Sequence, residues 1–189
     1  HEAPIGLFGR KALARVLSDL GAVGARPIAD NSFLTHLATG RLILESGSVP
    51  SHDPYTFTAA GEPWVVQSWL ASVLYATAER LGGLDGVRLL MGLVTAALGG
   101  LSWHLLRPAQ GVVARLGVGA LMLAVGAGLW TERPYMLGLL AFGLVALAAD
   151  GRLNPMWLAP LGWLWVNVHG SFPLGVVYLV VAAIGARLD

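Results

Sequence analysis

Cysteine is absent from all 189 residues of this chain, which excludes a disulfide, a thiolate metal site and a cysteine nucleophile. Charge is scarce as well, since 12% of the residues are charged against about 25% in soluble proteins. The net charge is only +1 and no basic run occurs, so no nucleic-acid partner is expected. The motifs G-x-x-x-x-G-K-[ST], G-x-S-x-G and H-E-x-x-H are also missing, which removes the usual nucleotide-binding and hydrolase interpretations.

Hydrophobic residues are abundant, at 56% of the composition, and they are grouped into runs that resemble short helices. The runs cover residues 87–106, 116–130, 135–149, 156–168 and 172–186. A bilayer core of about 30 Å takes about 20 helical residues to cross, so the later runs are short for a span. The 25 glycines suit the close packing of membrane helices. The sequence therefore predicts an all-α, polytopic transmembrane helix bundle over residues 87–189.

The part of the chain before residue 87 is more polar and divides into two segments. Charged residues interrupt residues 1–29, which are predicted to form an interfacial segment with an amphipathic helix near 6–22. Residues 30–86 are predicted to form an extracytoplasmic loop. It would carry amphipathic helices near 32–46 and 64–81, joined by a proline-rich loop with a β-like YTFT patch. Because the chain begins at His1 and stops after an apolar run, it is expected to be a piece of a longer protein.

The orientation in the membrane follows from the joint that holds Arg107 and Arg115 without an acidic residue. Such joints lie on the cytoplasmic side in most membrane proteins. Counting helices from this joint places the 30–86 loop, the joint around Arg133 and the joint around His169 on the opposite, extracytoplasmic side.

The order of these features resembles the GT-C glycosyltransferases, which include the protein O-mannosyltransferases and the aminoarabinose transferases. The resemblance lies in Asp30, in LATGRLILESGSVP and in EPWVVQSWLASVLYATAERLGGLDGVRLL. More narrowly, DPYTFTA, the ERP joint and WVNVHGSFPLG are similar to a bacterial group of GT-C-like polytopic proteins. The resemblance covers roughly residues 28–185. It implies an integral protein of the bacterial cytoplasmic membrane that transfers a sugar from a polyprenyl-phosphate donor to an acceptor on the extracytoplasmic face.

The resemblance also implies a role for Asp30, which matches the carboxylate that opens the first outer loop in GT-C enzymes. There it would act as general base on the acceptor or position it. A base must come within about 2.6–3.2 Å of the attacking hydroxyl. The alternative is that Asp30 only caps the helix that follows, and the two roles are compatible.

The other candidate residues bind substrate in this interpretation. Arg133 would hold the donor phosphate, or else anchor its helix at the membrane surface or pair with Glu132. Glu132 is a candidate second acid. Asn167 and His169 would contact sugar or phosphate, although a packing hydrogen bond is the alternative for Asn167. Asp53 is the last substrate-binding candidate, and its alternative role is that of a turn residue before a proline.

No cofactor is expected, with a divalent metal on His36, His52 and Asp53 as a lesser alternative because their spacing is not diagnostic. The expected partners are membrane lipid and the polyprenyl-phosphate sugar donor. The competing hypothesis is a non-catalytic scaffold or accessory subunit of a larger membrane complex. The two differ in one geometric expectation, since catalysis requires Asp30, Arg133 and His169 to converge on one cavity.

Overall fold

The computed structural model describes residues 32–108, 111–126 and 131–188, together with residues 11, 14, 15, 18, 19, 21, 22, 28 and 30. Over these residues the fold is all-helical, as predicted, and holds no strand beyond one isolated bridge between His52 and Pro63. Most of the predicted interfacial segment 1–29 lies outside the described residues, including most of the amphipathic helix predicted near 6–22.

From Ser32 onward the described residues form six α-helices, with one short 3₁₀ turn between the fourth and the fifth. They are α1 (Ser32–Ser46), α2 (Trp69–Leu105), α3 (Val112–Gly126), α4 (Tyr135–Ala149), the 3₁₀ turn Pro155–Trp157, α5 (Leu158–Val168) and α6 (Phe172–Leu188). The bounds of α1 and α4 are those predicted from the sequence. The residues from 127 to 130, where the predicted run 116–130 ends, lie outside the described part of the chain.

The structure differs from the sequence prediction at α2. Two helices were expected, over 64–81 and 87–106, with a segment boundary between them. The first segment of α2 begins at Trp69 rather than at residue 64, and the second ends at Leu105, with non-helical backbone at Gly82 and Gly83 between them. Gly83 has φ 60° and ψ −155°, a conformation open almost only to glycine. Two helical segments are therefore present, as predicted, and the break between them lies at Gly82 and Gly83.

The length of α2 suffices for a membrane crossing. It has 37 residues and is long and apolar enough to span a bilayer. The part after the bend, residues 84–105, is about 33 Å long at about 1.5 Å per residue, which matches a core of about 30 Å. The apolar helices α3, α4 and α6 are shorter, with 15, 15 and 17 residues.

Two clusters of buried side chains hold the helices together, and α4 contributes to both. The larger joins α1, both halves of α2 and the start of α4, through Phe33, Leu37, Tyr75, Ala76, Val87, Met91, Val94, Leu98 and Met136. The smaller joins α4 to α5 and α6 around Ala141, Val145 and Trp165. Because α4 lies between the two clusters, it fixes the start of α2 relative to the joint between α5 and α6.

The polar joints fall at two ends of the helices. The guanidinium of Arg115 lies 4.2 Å from the centre of the Trp103 ring and donates to the Trp103 carbonyl at 3.0 Å. Arg152, which follows α4, donates to the carbonyl of His104. Both arginines thus lie at the carboxyl end of α2, one α4 length away from Arg133. A helix of 15 residues spans about 22 Å.

Candidate functional site

A cavity of about 650 Å³ opens where α1, the start of α2 and the joints before α4 and after α5 meet. Its volume lies in the range of about 300–1,000 Å³ that small-molecule sites occupy. Its wall includes the non-helical segment 64–68 and the polar side chains of His36, Gln67, Ser72, Arg133, Tyr135 and His169. Arg133 and His169, two of the residues singled out from the sequence, therefore lie on one cavity.

Asp30 does not line the cavity, but it is bound to a residue that does. Its carboxylate accepts a hydrogen bond from the Arg133 Nε and two more from Ser32, at 2.8 Å from the amide and 2.6 Å from the hydroxyl. The side chain of Asp30 is only 5% exposed, whereas that of Arg133 is 53% exposed. The ion pair thus joins the residue before α1 to the joint before α4, across about a hundred residues of sequence.

The three hydrogen bonds change the acid–base properties of Asp30. Donation from Arg133 and then from Ser32 lowers the pKa of Asp30 from 3.8 to about 2. Hydrogen bonds to the ionised form stabilise it and leave the carboxylate a weak proton acceptor. The helix-capping role considered from the sequence is present as the bond from the Ser32 amide. In this geometry Asp30 is better suited to holding Arg133 than to accepting a proton.

His36 faces the same cavity from α1. Its Nδ1 lies 3.1 Å from the hydroxyl oxygen of Ser72, a buried residue of α2. Burial is the main cause that lowers the pKa of His36 below its usual value, with Asp30 acting in the opposite direction. His36 is therefore a neutral imidazole at pH 7.

His169 lies directly after α5 and belongs to a small hydrogen-bond network, for which α4 leaves room. Its Nδ1 lies 2.8 Å from the Ser171 hydroxyl and accepts from the Ser171 amide at 3.2 Å, while the Trp165 indole donates to the same hydroxyl at 3.1 Å. Gly138 of α4 makes room for this network, since a Cβ there would come within 2.8 Å of the Ser171 hydroxyl. Burial lowers the pKa of His169, so it too is neutral at pH 7.

The three remaining candidates do not line the cavity. Asn167 accepts from the Trp69 indole at 2.7 Å and donates to the Trp163 carbonyl at 2.7 Å, so it ties α5 to the start of α2. Asp53 accepts from Tyr55 and Thr56 within its own loop, as a turn residue does. Glu132 is buried, next to Arg133 in the chain.

Replacing Asn167 with leucine is expected to loosen α5 from α2, because the Trp69 indole then loses its partner. A fully buried donor left unpaired costs about 1–3 kcal/mol; the Trp69 indole is partly buried, so the cost belongs at the lower end and the thermal midpoint of the purified protein should fall modestly. Asn167→Asp keeps an oxygen for Trp69 and should lose less. A leucine variant that unfolds at the wild-type temperature would show that the bond contributes nothing.

A metal centre finds no support among the described residues, which contain no group of three or more His, Asp or Glu side chains placed to hold an ion. His36, His52 and Asp53, considered together from the sequence, are separated by the fold. His52 bonds to Ser51 in the exposed loop, while His36 faces the cavity.

Several cavity residues were not singled out as substrate contacts from the sequence. His36 was considered only as a metal ligand, and Gln67, Ser72 and Tyr135 not at all. Their position in the chain could have indicated them, because each lies in or near a segment predicted to belong to the outer face. What the sequence does not reveal is the crossing of α1 over α2, which brings His36 to Ser72.

Comparison of the chain with protein-family models, with curated proteins and with solved structures finds no match. The assignment of a function therefore depends on the geometry of the cavity and its surroundings.

Proposed function

We propose that this chain is part of a GT-C-like glycosyltransferase of the bacterial cytoplasmic membrane, which moves a sugar from a polyprenyl-phosphate donor to an acceptor on the extracytoplasmic face. The observation that carries the proposal is the cavity itself. An arginine and two histidines meet there, at one end of a bundle of apolar helices. A lipid-linked substrate needs this combination, because its phosphate and sugar are polar while its chain is apolar.

The outer surface of the helices supports a membrane location. Large apolar side chains are exposed along one broad face of α6, at Leu174, Val176, Val177, Val180, Val181, Ile184 and Leu188. Helix α3 exposes a similar set, including Val112, Val113, Leu116, Leu121 and Val125. Apolar patches of this extent are rare on proteins surrounded by water. In a bilayer the same side chains contact lipid, so we infer that several helices besides α2 cross or enter the membrane.

In the proposed reaction Arg133 binds the donor phosphate. Its Nε is committed to Asp30, which leaves the outer edge of a half-exposed guanidinium for phosphate oxygens. Arginine suits this role because its planar donors match two oxygens at once. Asp30 then acts as the residue that orients Arg133, and the cavity holds the sugar between Arg133 and the two histidines.

A non-catalytic scaffold is the second candidate, and the engaged state of two residues favours it. The Asp30 carboxylate and the Asn167 amide both make contacts that tie segments of the fold together. Contacts that hold the fold together are sufficient for a scaffold, whereas an enzyme must also convert its substrate. Measured sugar transfer therefore separates the two functions.

The proposed orientation is tested by labelling single cysteines with an impermeant thiol reagent in intact cells, since the 189 residues contain no cysteine of their own. Phe57→Cys, at a fully exposed loop position, should react from outside. Gln110→Cys, between Arg107 and Arg115, should react only after the cells are opened. Labelling of Gln110→Cys in intact cells would mean that the topology is inverted.

The enzymatic proposal is tested by sugar transfer from radiolabelled polyprenyl-phosphate donors, with the full-length protein in membranes. Asp30→Asn should reduce transfer roughly 10²-fold, because a small displacement of a positioning group has effects of that order. Asn retains an oxygen for the Ser32 amide but loses the charge that holds Arg133. Asp85→Asn is the control, since the Asp85 side chain is 85% exposed in a surface ion pair. No transfer by the wild-type protein, or full transfer by Asp30→Asn, would contradict these roles.

A further inference from the structure

The hydrogen bonds around His36 indicate which nitrogen of its neutral ring carries the proton. A serine hydroxyl has one proton to donate and two lone pairs to accept with. The Ser72 hydroxyl donates its proton to the Ser68 carbonyl at 3.1 Å, so toward His36 it acts as an acceptor. The Nδ1 of His36 must then carry the proton and donate it to Ser72. In a neutral imidazole this leaves Nε2 unprotonated, with a free lone pair.

The Nε2 of His36 is open to the cavity. It has no hydrogen-bond partner among the described residues, and it is not among the enclosed polar atoms that lack one. Since His36 lines the cavity wall, its accessible Nε2 is available to an occupant of the cavity. The ring is held in place by Ser72 on one side and by an edge contact with Tyr75, at 6.3 Å between ring centres, on the other.

His169 presents the opposite tautomer to the same cavity. Its Nδ1 accepts from the Ser171 amide, so Nδ1 has no proton and Nε2 carries it. The two histidines therefore offer different chemistry: His36 offers a lone pair, and His169 offers an N–H. A cavity that binds a hydroxyl and an anionic oxygen side by side can use one of each.

We propose that His36 is a catalytic residue whose Nε2 takes the proton of the acceptor hydroxyl during sugar transfer, an inference that rests on the function proposed above. The acceptor oxygen forms a bond to the anomeric carbon of the sugar as the bond from that carbon to the phosphate oxygen breaks. The electron pair of the broken bond leaves with the lipid phosphate, whose charge Arg133 offsets. The proton of the hydroxyl passes to His36, so charge and atoms balance without any further reactant.

Other groups near the cavity are less suited to this step. The Asp30 carboxylate already accepts three hydrogen bonds and has a pKa of about 2. Glu132 is buried and does not line the cavity. His169 presents an N–H there, which makes it a donor to an oxygen and not a proton acceptor.

The surroundings of His36 keep its imidazole neutral, and so able to accept a proton, at pH 7. Burial, the largest effect, and His169 lower its pKa, while Asp30 raises it. The net direction is downward from 6.5, so the neutral form that accepts a proton prevails at pH 7. Activity should therefore rise with pH through a pKa below 6.5 and level off near neutrality.

His36→Asn tests the proposal, because the amide nitrogen of asparagine can still donate to Ser72 while no basic nitrogen remains. In full-length protein in membranes, with radiolabelled polyprenyl-phosphate donor, the maximal rate of transfer should fall roughly 10²–10⁴-fold. The KM for the donor should change little, because Arg133 is untouched, and the acidic limb of the pH profile should disappear. His52→Asn is the control, since His52 lies in the exposed loop outside the cavity.

The outcomes separate this inference from the proposed function. Wild-type transfer together with full activity of His36→Asn would overturn the role of His36 and leave the function standing. No transfer by the wild-type protein from any donor would overturn both. Ser72→Ala is a second variant that leaves residue 36 itself unchanged. It removes the hydroxyl that fixes the proton on Nδ1, so either tautomer of the His36 imidazole can form. We expect a smaller loss of rate there with an altered acidic limb, and an unaltered rate and profile would contradict the tautomer assignment.

Discussion

Replacing Gly40 with alanine is expected to prevent α1 from packing on α2. A Cβ at this position would overlap with the Ser72 carbonyl oxygen and lie 2.5 Å from the carbonyl carbon and 2.8 Å from the Ala76 Cβ. Two of these atoms belong to the backbone, so no change of rotamer relieves the contact. Overpacking costs about 1–3 kcal/mol and occasionally more, and a clash with rigid backbone belongs at or above the upper end. The thermal midpoint of the purified protein in detergent should fall strongly.

Gly162→Ala is the matched control for this experiment. Gly162 lies within α5, and a Cβ there meets nothing within 4 Å. Alanine is the better helix former, so this variant should unfold at or slightly above the wild-type temperature. Equal stability of Gly40→Ala and Gly162→Ala would mean that α1 does not cross α2 at Gly40. The crossing matters for function because it sets His36 against Ser72.

Replacing Arg133 with alanine is expected to reduce sugar transfer to the limit of detection while the protein still inserts. In the proposed reaction the phosphate that leaves with the lipid gains charge in the transition state, and removing one preorganised donor from such a site costs roughly 10²–10³ in rate. Arg133→Lys should retain part of the activity, because lysine keeps the charge but not the two-pronged geometry. Transfer from radiolabelled donors measures both variants.

Arg41→Ala is the control for Arg133→Ala, since each arginine is about half exposed and forms an ion pair with a carboxylate. Arg41 pairs with Glu79 outside the cavity and is 50% exposed, against 53% for Arg133. In Arg133→Ala the Asp30 carboxylate loses its partner. The double variant Asp30→Asn, Arg133→Ala also removes this unpaired charge. A loss in the double variant as large as in Arg133→Ala, with wild-type transfer by Arg41→Ala, would show that the unpaired Asp30 carboxylate is not the cause of the loss. Wild-type rates in Arg133→Ala would remove Arg133 from the mechanism.

Much of the secondary structure could be predicted from the sequence, because it follows from local composition. The helix at 32–46 is bounded by polar residues at one end and Gly47 at the other. The run at 135–149 is uniformly apolar between Pro134 and Asp150. Such signals depend on neighbours in the chain, and both predicted ranges coincide with helices of the structure. The two helical segments of α2 were also predicted, although the first begins at Trp69 and the second resumes directly after Gly83.

The candidate site could be predicted only in part, because its contacts join distant segments. The sequence indicates that Asp30, Arg133 and His169 belong to joints on one side. It contains no information on the ion pair that joins Asp30 to Arg133 across α2 and α3, nor on the bond from His36 to Ser72. Asn167 and Asp53 show the converse, since both are polar residues in suitable joints whose bonds are made within the fold. Position in the chain indicates which end a residue occupies, whereas packing decides what it contacts.

The central claim is that the cavity bounded by His36, Arg133 and His169 holds a lipid-linked phosphate. Photocrosslinking tests it most directly: a polyprenyl-phosphate analogue that carries a photoreactive group near the phosphate is added to the full-length protein in membranes. The crosslinked residues are then identified by mass spectrometry. We predict crosslinks to segment 64–68 and to the joint at 133–135, lost on addition of excess polyprenyl phosphate and weakened in Arg133→Ala. Crosslinks confined to the exposed apolar faces of α3 and α6, unaffected by competitor, would contradict the account.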